Sequence, residues 1–275
     1  MAEAVEVRYQ MLRPGQVRAR REACPVAYVP LGNVEWHGDH NPLGADSLQA
    51  EGLAILAARR GGGLAFPPLW YGEPKRECME YAAHDRAQIA ERMGLGGFEE
   101  RLLPLDASQA GLFYQQLLVL VLQQVEALGF RVGVLIAGHY PLMAHATIAA
   151  HRFATDARYA HGAGAGMLPW ACVEPDLRFL LDGAAAGDHA GKHETSNCMA
   201  LHPQTVDLAL ARDRPMVGAG PNAGEASADY GWQSLNAMAD LMVKEARHRL
   251  KRPTWYRGAS YLQQLGRWRQ PGEDS

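Results

Sequence analysis

Two kinds of apolar run alternate along the chain. The run that begins at Val26, bounded by Pro25, and the stretch Arg131–Gly138 are short and β-branched, which predicts buried strands. Between and after them, apolar residues recur at helical spacing. Residues 47–60 predict a helix ended by Gly61-Gly62-Gly63, and residues 108–128 a second, with Leu112, Leu117, Val119, Leu120, Val125 and Leu128 as its apolar positions and Gly129 as its stop. Pro141 opens a third, about 142–159. A short strand stopped by Pro67 and Pro68 is expected from Leu64, and a further strand near Met167–Val173. Asp188–Pro203 reads as a helix or helix start, and residues 226–250 as a docking helix that turns Leu235, Met238, Leu241 and Met242 to the sheet. Such alternation predicts an α/β sandwich with a largely parallel sheet. Residues 73–107, polar and broken by Gly94–Gly97, read as an insertion or lid, and the tail from Gln263 as exposed or used in oligomer contacts.

Composition narrows the function classes. A chain of 275 residues with 48 % apolar content can bury a sizeable core, and its net charge of -3 offers no polycationic footprint for nucleic acid. No run approaches the roughly eighteen apolar residues of a membrane span, and the first residues lack both the basic start and the apolar centre of a secretory signal. A soluble cytoplasmic protein is the expectation. Cys24, Cys78, Cys172 and Cys198 show no Cys-x-x-Cys spacing, which argues against a disulfide framework or a thiolate zinc knot.

The candidate chemistry sits where the strands end. The first strand runs into a loop holding Glu35, His37, Asp39, His40 and Asp46. Residues two apart on extended backbone share a side, so Glu35 and His37 can present a carboxylate and an imidazole to one point. Asp46 precedes a helix with Gln49 three positions on, so a plain N-cap with a capping box is the competing reading. The second strand ends in Gly138-His139-Tyr140-Pro141. In open parallel sheets ligands collect beyond the carboxyl ends of strands, and both motifs fall there. His189 and His193, four apart, would share a helix face as in helical zinc sites, but the Glu of that pattern is missing. Gly162–Gly166 and Gly218–Ala223 lack the preceding strand of a dinucleotide fingerprint, and no Gly-x-Ser-x-Gly elbow is present. Trp36 and Tyr140 adjoin proposed ligands and can wall a pocket or simply pack. His145, His151, His161 and His248 read as solvated or packed.

Taken together, Leu31-Gly-x-x-Glu35-x-His37-Gly-x-His40-x-Pro-Leu-Gly-x-Asp46, Gly138-His139, and His189-Ala-Gly-x-x-Glu194-Thr-Ser with the following Leu201-x-Pro resemble the creatininase (creatinine amidohydrolase) family. The resemblance spans most of the chain in order. It implies one metal-hydrolase domain over residues 1–275, a three-layer α/β/α fold, assembly into homo-oligomers of hexameric type, and two divalent ions per chain. Carried over, Glu35 and His139 hold one ion, His37 the other, and Asp46 bridges them, as a carboxylate with two oxygens can across about 3.5–4 Å. Nitrogen and oxygen ligands without sulfur suit zinc or manganese, with iron not excluded. The implied chemistry is attack of an activated water on a carbonyl or amidine carbon, with His189 moving the proton to the leaving nitrogen.

Two departures matter. Creatinine-hydrolysing members carry His-Tyr-Glu where this chain has His139-Tyr140-Pro141, and Glu194 becomes the candidate for the missing carboxylate. Their Trp-Asp pair ahead of the motif histidine corresponds to Ala185 and Ala186, which puts creatinine in doubt. The leading expectation is a small, cyclic amide or formamide as substrate. Ring opening of a cyclic keto-sugar or keto-cyclitol is the alternative, with Arg76, Glu80, His84 and Arg86 facing hydroxyls. A non-catalytic metal- or ligand-binding relative is the third reading.

Overall fold

The computed structural model describes residues 5–72, 86–94, 107–155, 166–173, 188–213, 217, 220 and 222–256. Four parallel strands form one sheet in the order β2-β1-β3-β4: β1 (Val26–Leu31), β2 (Leu64–Ala65), β3 (Val132–Ala137) and β4 (Leu168–Val173). Every residue of β1 and β3 is buried, as expected for strands covered on both faces. Within them the side chains still alternate. Val26, Tyr28, Val132, Val134, Ile136, Trp170 and Cys172 face one core, whereas Ala27, Val29, Leu31, Leu135, Ala137 and Ala171 face the other.

Each core is closed by helices, which gives the three layers. On the first face lie α2 (Ala45–Gly61), α6 (Lys192–Leu201) and α8 (Ala228–Lys251), after α1 (Pro14–Ala23) at the start of the chain and with α7 (Leu208–Asp213) between α6 and α8 in sequence. On the second face lie α4 (Ala107–Ala127) and α5 (Leu142–Thr155). A short α3 (Arg86–Arg92) precedes α4. In α8, Leu235, Met238 and Met242 are fully buried and Leu241 partly so, so the docking helix forms as expected. Its Arg249 is also buried, stacked between Trp170 and Tyr256 with its charge met by Glu245.

Strand β2 is short and stops before its prolines, as expected, and Leu69 adds only an isolated bridge to Leu31, because Pro67 and Pro68 withhold ladder donors. Other local expectations are corrected. Of the expected apolar positions of α4, Leu117, Val119, Val125 and Leu128 pack on the core, whereas Leu112 and Leu120 are exposed and Tyr114, Leu118 and Leu122 complete the buried face. Helix α6 starts at Lys192, so His189 precedes it in a turn. The expected insertion is described only at 86–94 and at 107; Arg76, Glu80, His84, the Arg86 side chain, Cys78, Ala185, Ala186, His161 and the tail from Gln263 lie outside the described residues.

The topology fixes where a ligand can sit. From β1 the sheet grows one way to β2, and from β3 the other way to β4, so the order reverses between the two central strands. The crevice beyond their carboxyl ends is the usual binding position in such sheets. Gly138 lets β3 approach there: a Cβ on it would run into the carbonyl oxygen of Asp46 at the start of α2.

Candidate metal centre

Four segments meet in this crevice. The loop after β1 brings Glu35 and His37, the first turn of α2 brings Asp46, the end of β3 brings His139, and the turn and start of α6 bring His189 and Glu194. Glu35, His37, Asp46 and His139 are 4 %, 0 %, 1 % and 8 % exposed. Their donor atoms fall into groups within 4.8 Å of one another: Glu35, Asp46 and His139; His37, Asp46 and Glu194; and Glu35, His37 and His189.

Asp46 is shared by the first two groups, one oxygen to each. Its Oδ2 lies 3.2 Å from His139 Nδ1, and its Oδ1 lies 3.1 Å from His37 Nε2. Glu35 Oε1 lies 3.2 Å from His139 Nδ1 and 3.3 Å from His189 Nδ1, while Glu194 Oε2 lies 3.5 Å from His37 Nε2. The N-cap reading of Asp46 does not hold. Gly44 is the N-cap of α2, Asp46 sits in its first turn with its carboxylate aimed at the two histidines, and Gln49 accepts a hydrogen bond from Asn197 rather than closing a capping box.

Backbone carbonyls set the imidazole tautomers, because a carbonyl only accepts. His37 Nδ1 donates to the carbonyl of Glu35 at 3.2 Å, which turns Nε2 toward the carboxylates. His189 Nε2 donates to the carbonyl of Trp36 at 2.8 Å, which leaves Nδ1 facing Glu35 Oε1. Two acceptors 3.3 Å apart repel unless a proton or a cation lies between them.

The electrostatics agree. Burial alone would lower the His37 pKa, but Asp46, Glu194 and Glu35 override it and raise it to about 10. Burial drives His189 down to about 3, with the nearby His37 acting in the same direction. Burial lifts Glu35, and lifts Glu194 to about 7 with Asp46 and Asp188 adding to it. Burial also opposes ionisation of Asp46, yet His37 and His139 hold its carboxyl well below the usual range. Three buried carboxylates in one crevice are costly without compensating positive charge. Glu35 Oε1 and Asp46 Oδ2 are buried without an aligned hydrogen bond, although ring nitrogens lie beside them. An oxygen- and nitrogen-rich donor set with unsatisfied carboxylate oxygens fits hard or borderline divalent cations such as zinc or manganese.

Other expected site residues fall outside this cluster. His193 belongs to none of the three groups, and its Nε2 and Nδ1 lie beside Asn197 and Ser234, so the rival pairing with His189 does not form. Trp36 is buried against Ile89 and Val217, with its indole N–H donating to the carbonyl of Val217 at 2.7 Å; it is the backbone of Trp36 that touches His189. Tyr140 is 62 % exposed. Residues without a signal of their own in the sequence complete the turn before α6. Asp188 accepts from the backbone N–H groups of His193 and Glu194 and so caps the helix, and Ala190 holds a left-handed φ of 52°. Gly220 packs flat on this turn, where a Cβ would meet the carbonyls of Asp188 and His189.

Comparison with known proteins agrees with this architecture. A crystal structure of creatinine amidohydrolase (creatininase) superposes with a TM-score of 0.67 at 21 % identity, over 90 % of this chain and 98 % of its own. A manganese creatininase gives 0.65 at 21 %, over 90 % and 100 %. A zinc–zinc form of a creatininase mutant gives 0.65 at 22 %, over 90 % and 99 %. At such identities the likeness speaks for the fold. No curated protein matches the chain. The family model for creatininase, described as creatinine amidohydrolase, matches residues 10–246, and with most of its length inside that match the chain belongs to the creatininase family.

Proposed function

We propose that this protein is a metal-dependent amidohydrolase that cleaves a C–N bond in a small cyclic amide or formamide with two divalent cations, zinc or manganese. The observation that carries the reading is Asp46, whose two oxygens serve two different donor groups. Glu35 and His139 would complete one cation site, and His37 and Glu194 the other, with Glu194 supplying the carboxylate that Pro141 cannot. Bound cations of this kind lower the pKa of water toward neutrality and polarise a carbonyl oxygen.

The chain's own groups would do the rest. The Trp36 carbonyl fixes the tautomer of His189 with its Nδ1 lone pair toward the cluster. From that position it takes a proton from the attacking water and returns it to the departing nitrogen, as a general base and then a general acid. The buried floor of the crevice excludes competing solvent.

The same reading takes residues 1–275 as one hydrolase domain in a cytoplasmic homo-oligomer with a small-molecule substrate; light scattering checks the assembly. Among the described residues no helix is long and apolar enough to cross a membrane. The decisive experiment is metal analysis of the purified chain with assays on lactams, formamides, creatinine and keto-cyclitols with added Mn²⁺ or Zn²⁺. Two ions per chain and release of an amine or carboxylate from an amide support the proposal. Turnover of a keto-cyclitol alone moves the substrate class, and one ion or none with no turnover sinks the hydrolase.

A further inference from the structure

The turn that carries His189 is held from behind by groups that no step above uses. Ala190 is fully buried in a left-handed conformation, and both of its backbone polar groups are pinned. Its N–H donates to Glu194 Oε2 at 2.7 Å. Its carbonyl receives His40 Nε2 at 3.1 Å and Thr195 Oγ1 at 3.2 Å. His40 Nε2 also lies 3.0 Å from Thr195 Oγ1 and 3.2 Å from Asn41 Nδ2, and with its proton on Nε2 it donates to the Ala190 carbonyl, which only accepts. Asn41 Nδ2 donates to Thr195 Oγ1 at 2.9 Å, which leaves the threonine hydroxyl free to point its own hydrogen at Ala190. His40, Asn41 and Thr195 are all buried and come from the metal-ligand loop and α6, 154 and 155 residues apart along the chain.

We infer that His40 is a positioning residue: with Thr195 it holds the Ala190 carbonyl so that the left-handed turn aims His189 and Glu194 into the cluster. An L-residue rests in this conformation only when its surroundings enforce it. Without the His40 donor, only Thr195 and the Gly191 N–H bond to the Asp188 carbonyl hold the peptide after Ala190, and a turn about the Ala190 backbone shifts His189 and Glu194 relative to each other. His40 itself belongs to none of the three donor groups. The inference rests on the two-cation reading for its consequence, but its structural core, the conformation of Ala190, does not.

The test compares the full-length wild type with His40→Gln, which keeps an amide N–H near the Nε2 position, His40→Phe, which keeps the ring volume but no donor, and Thr195→Val. Mn²⁺ titration by calorimetry and electron paramagnetic resonance reads the two sites separately, and crystal structures read Ala190. Expected is a loss of about 10–100-fold in affinity for one of two Mn²⁺ ions in His40→Phe, the usual scale for an outer partner. The other ion should be unchanged, Thr195→Val should lose less, and His40→Gln should regain most of the loss with Ala190 still left-handed. Wild-type affinity for both ions in His40→Phe, with Ala190 unmoved, overturns the inference and leaves His40 as packing. If His40→Phe fails to fold, His40→Gln and Thr195→Val decide by the same readouts. Should the wild type bind no Mn²⁺, the two-cation reading falls instead, and the conformation of Ala190 in the variants alone decides the role of His40.

Discussion

The two halves of the crevice are built differently. On the Asp46 Oδ2 side, Glu35 and His139 follow neighbouring parallel strands whose register, Leu31 opposite Ala137, fixes their separation before any side chain is placed. On the Oδ1 side, His37 meets Glu194, which arrives on the first turn of α6 through a turn strained at Ala190, and whose side chain is 15 % exposed against 3 % for Glu35. Sheet geometry makes the first half stiff, whereas the second depends on hydrogen bonds to the turn before a helix. On the two-cation proposal, one metal position should be hard to disturb and the other tunable from a distance.

Asp46→Ala offers the largest break, since it removes the group common to both halves. We expect retention of both ions to be lost, checked by elemental analysis after gel filtration; retention of even one ion would show that the halves do not depend on a shared bridge. His189→Ala should leave both ions in place and lower turnover by about 10²–10⁴-fold, the range for a missing acid-base group. Because His189 Nδ1 also stands in a donor group with Glu35 and His37, loss of an ion in this variant would make it a ligand instead.

Substitutions within single halves sharpen the contrast. Glu194→Gln should release one ion and keep the other, whereas Glu35→Gln should weaken the strand-borne ion and with it the stability of the crevice. Equal loss of both ions in Glu194→Gln would deny that the halves are separable.

The pH dependence follows from the protons that cations must displace. In the metal-free chain His37, raised to about 10, holds a proton that metal binding expels, so affinity should rise by up to tenfold per pH unit and level off above pH 10. Glu194, raised to about 7, adds a second released proton below pH 7. Calorimetry in buffers of different ionisation enthalpy counts these protons, and a pH-independent uptake would contradict the charge balance described. The smallest effect is expected at the rim, where Tyr140→Phe should change KM by less than about threefold because the ring is largely in solvent.

Much of this was legible in the sequence. Strands form where the apolar runs from Val26 and over Arg131–Gly138 were read, at Val26–Leu31 and Val132–Ala137, and three spaced motifs gave the family that the match over residues 10–246 establishes. Where expectation failed, long-range contact decided. Leu112 and Leu120 have the right chemistry for burial, but the stripe that faces the sheet is set by how α4 rolls against α5, which no local period records. Asp46 looks like a cap because a caps-and-helix pattern is local, while its real partners, His37 and His139, lie nine and ninety-three positions away.

The sequence by itself determined the alternation of strands and helices, the parallel sheet, and the kinds of donor at the strand ends, because these depend on residue type and short-range period. Only the tertiary structure decided that one carboxylate faces two histidines, that Glu194 rather than His193 joins them, and that His40 lies against the Ala190 carbonyl behind His189. Those outcomes depend on distances between segments that lie apart in the chain, by up to 155 residues for His40 and Thr195, and such distances are fixed by how the layers pack rather than by any stretch of chain alone.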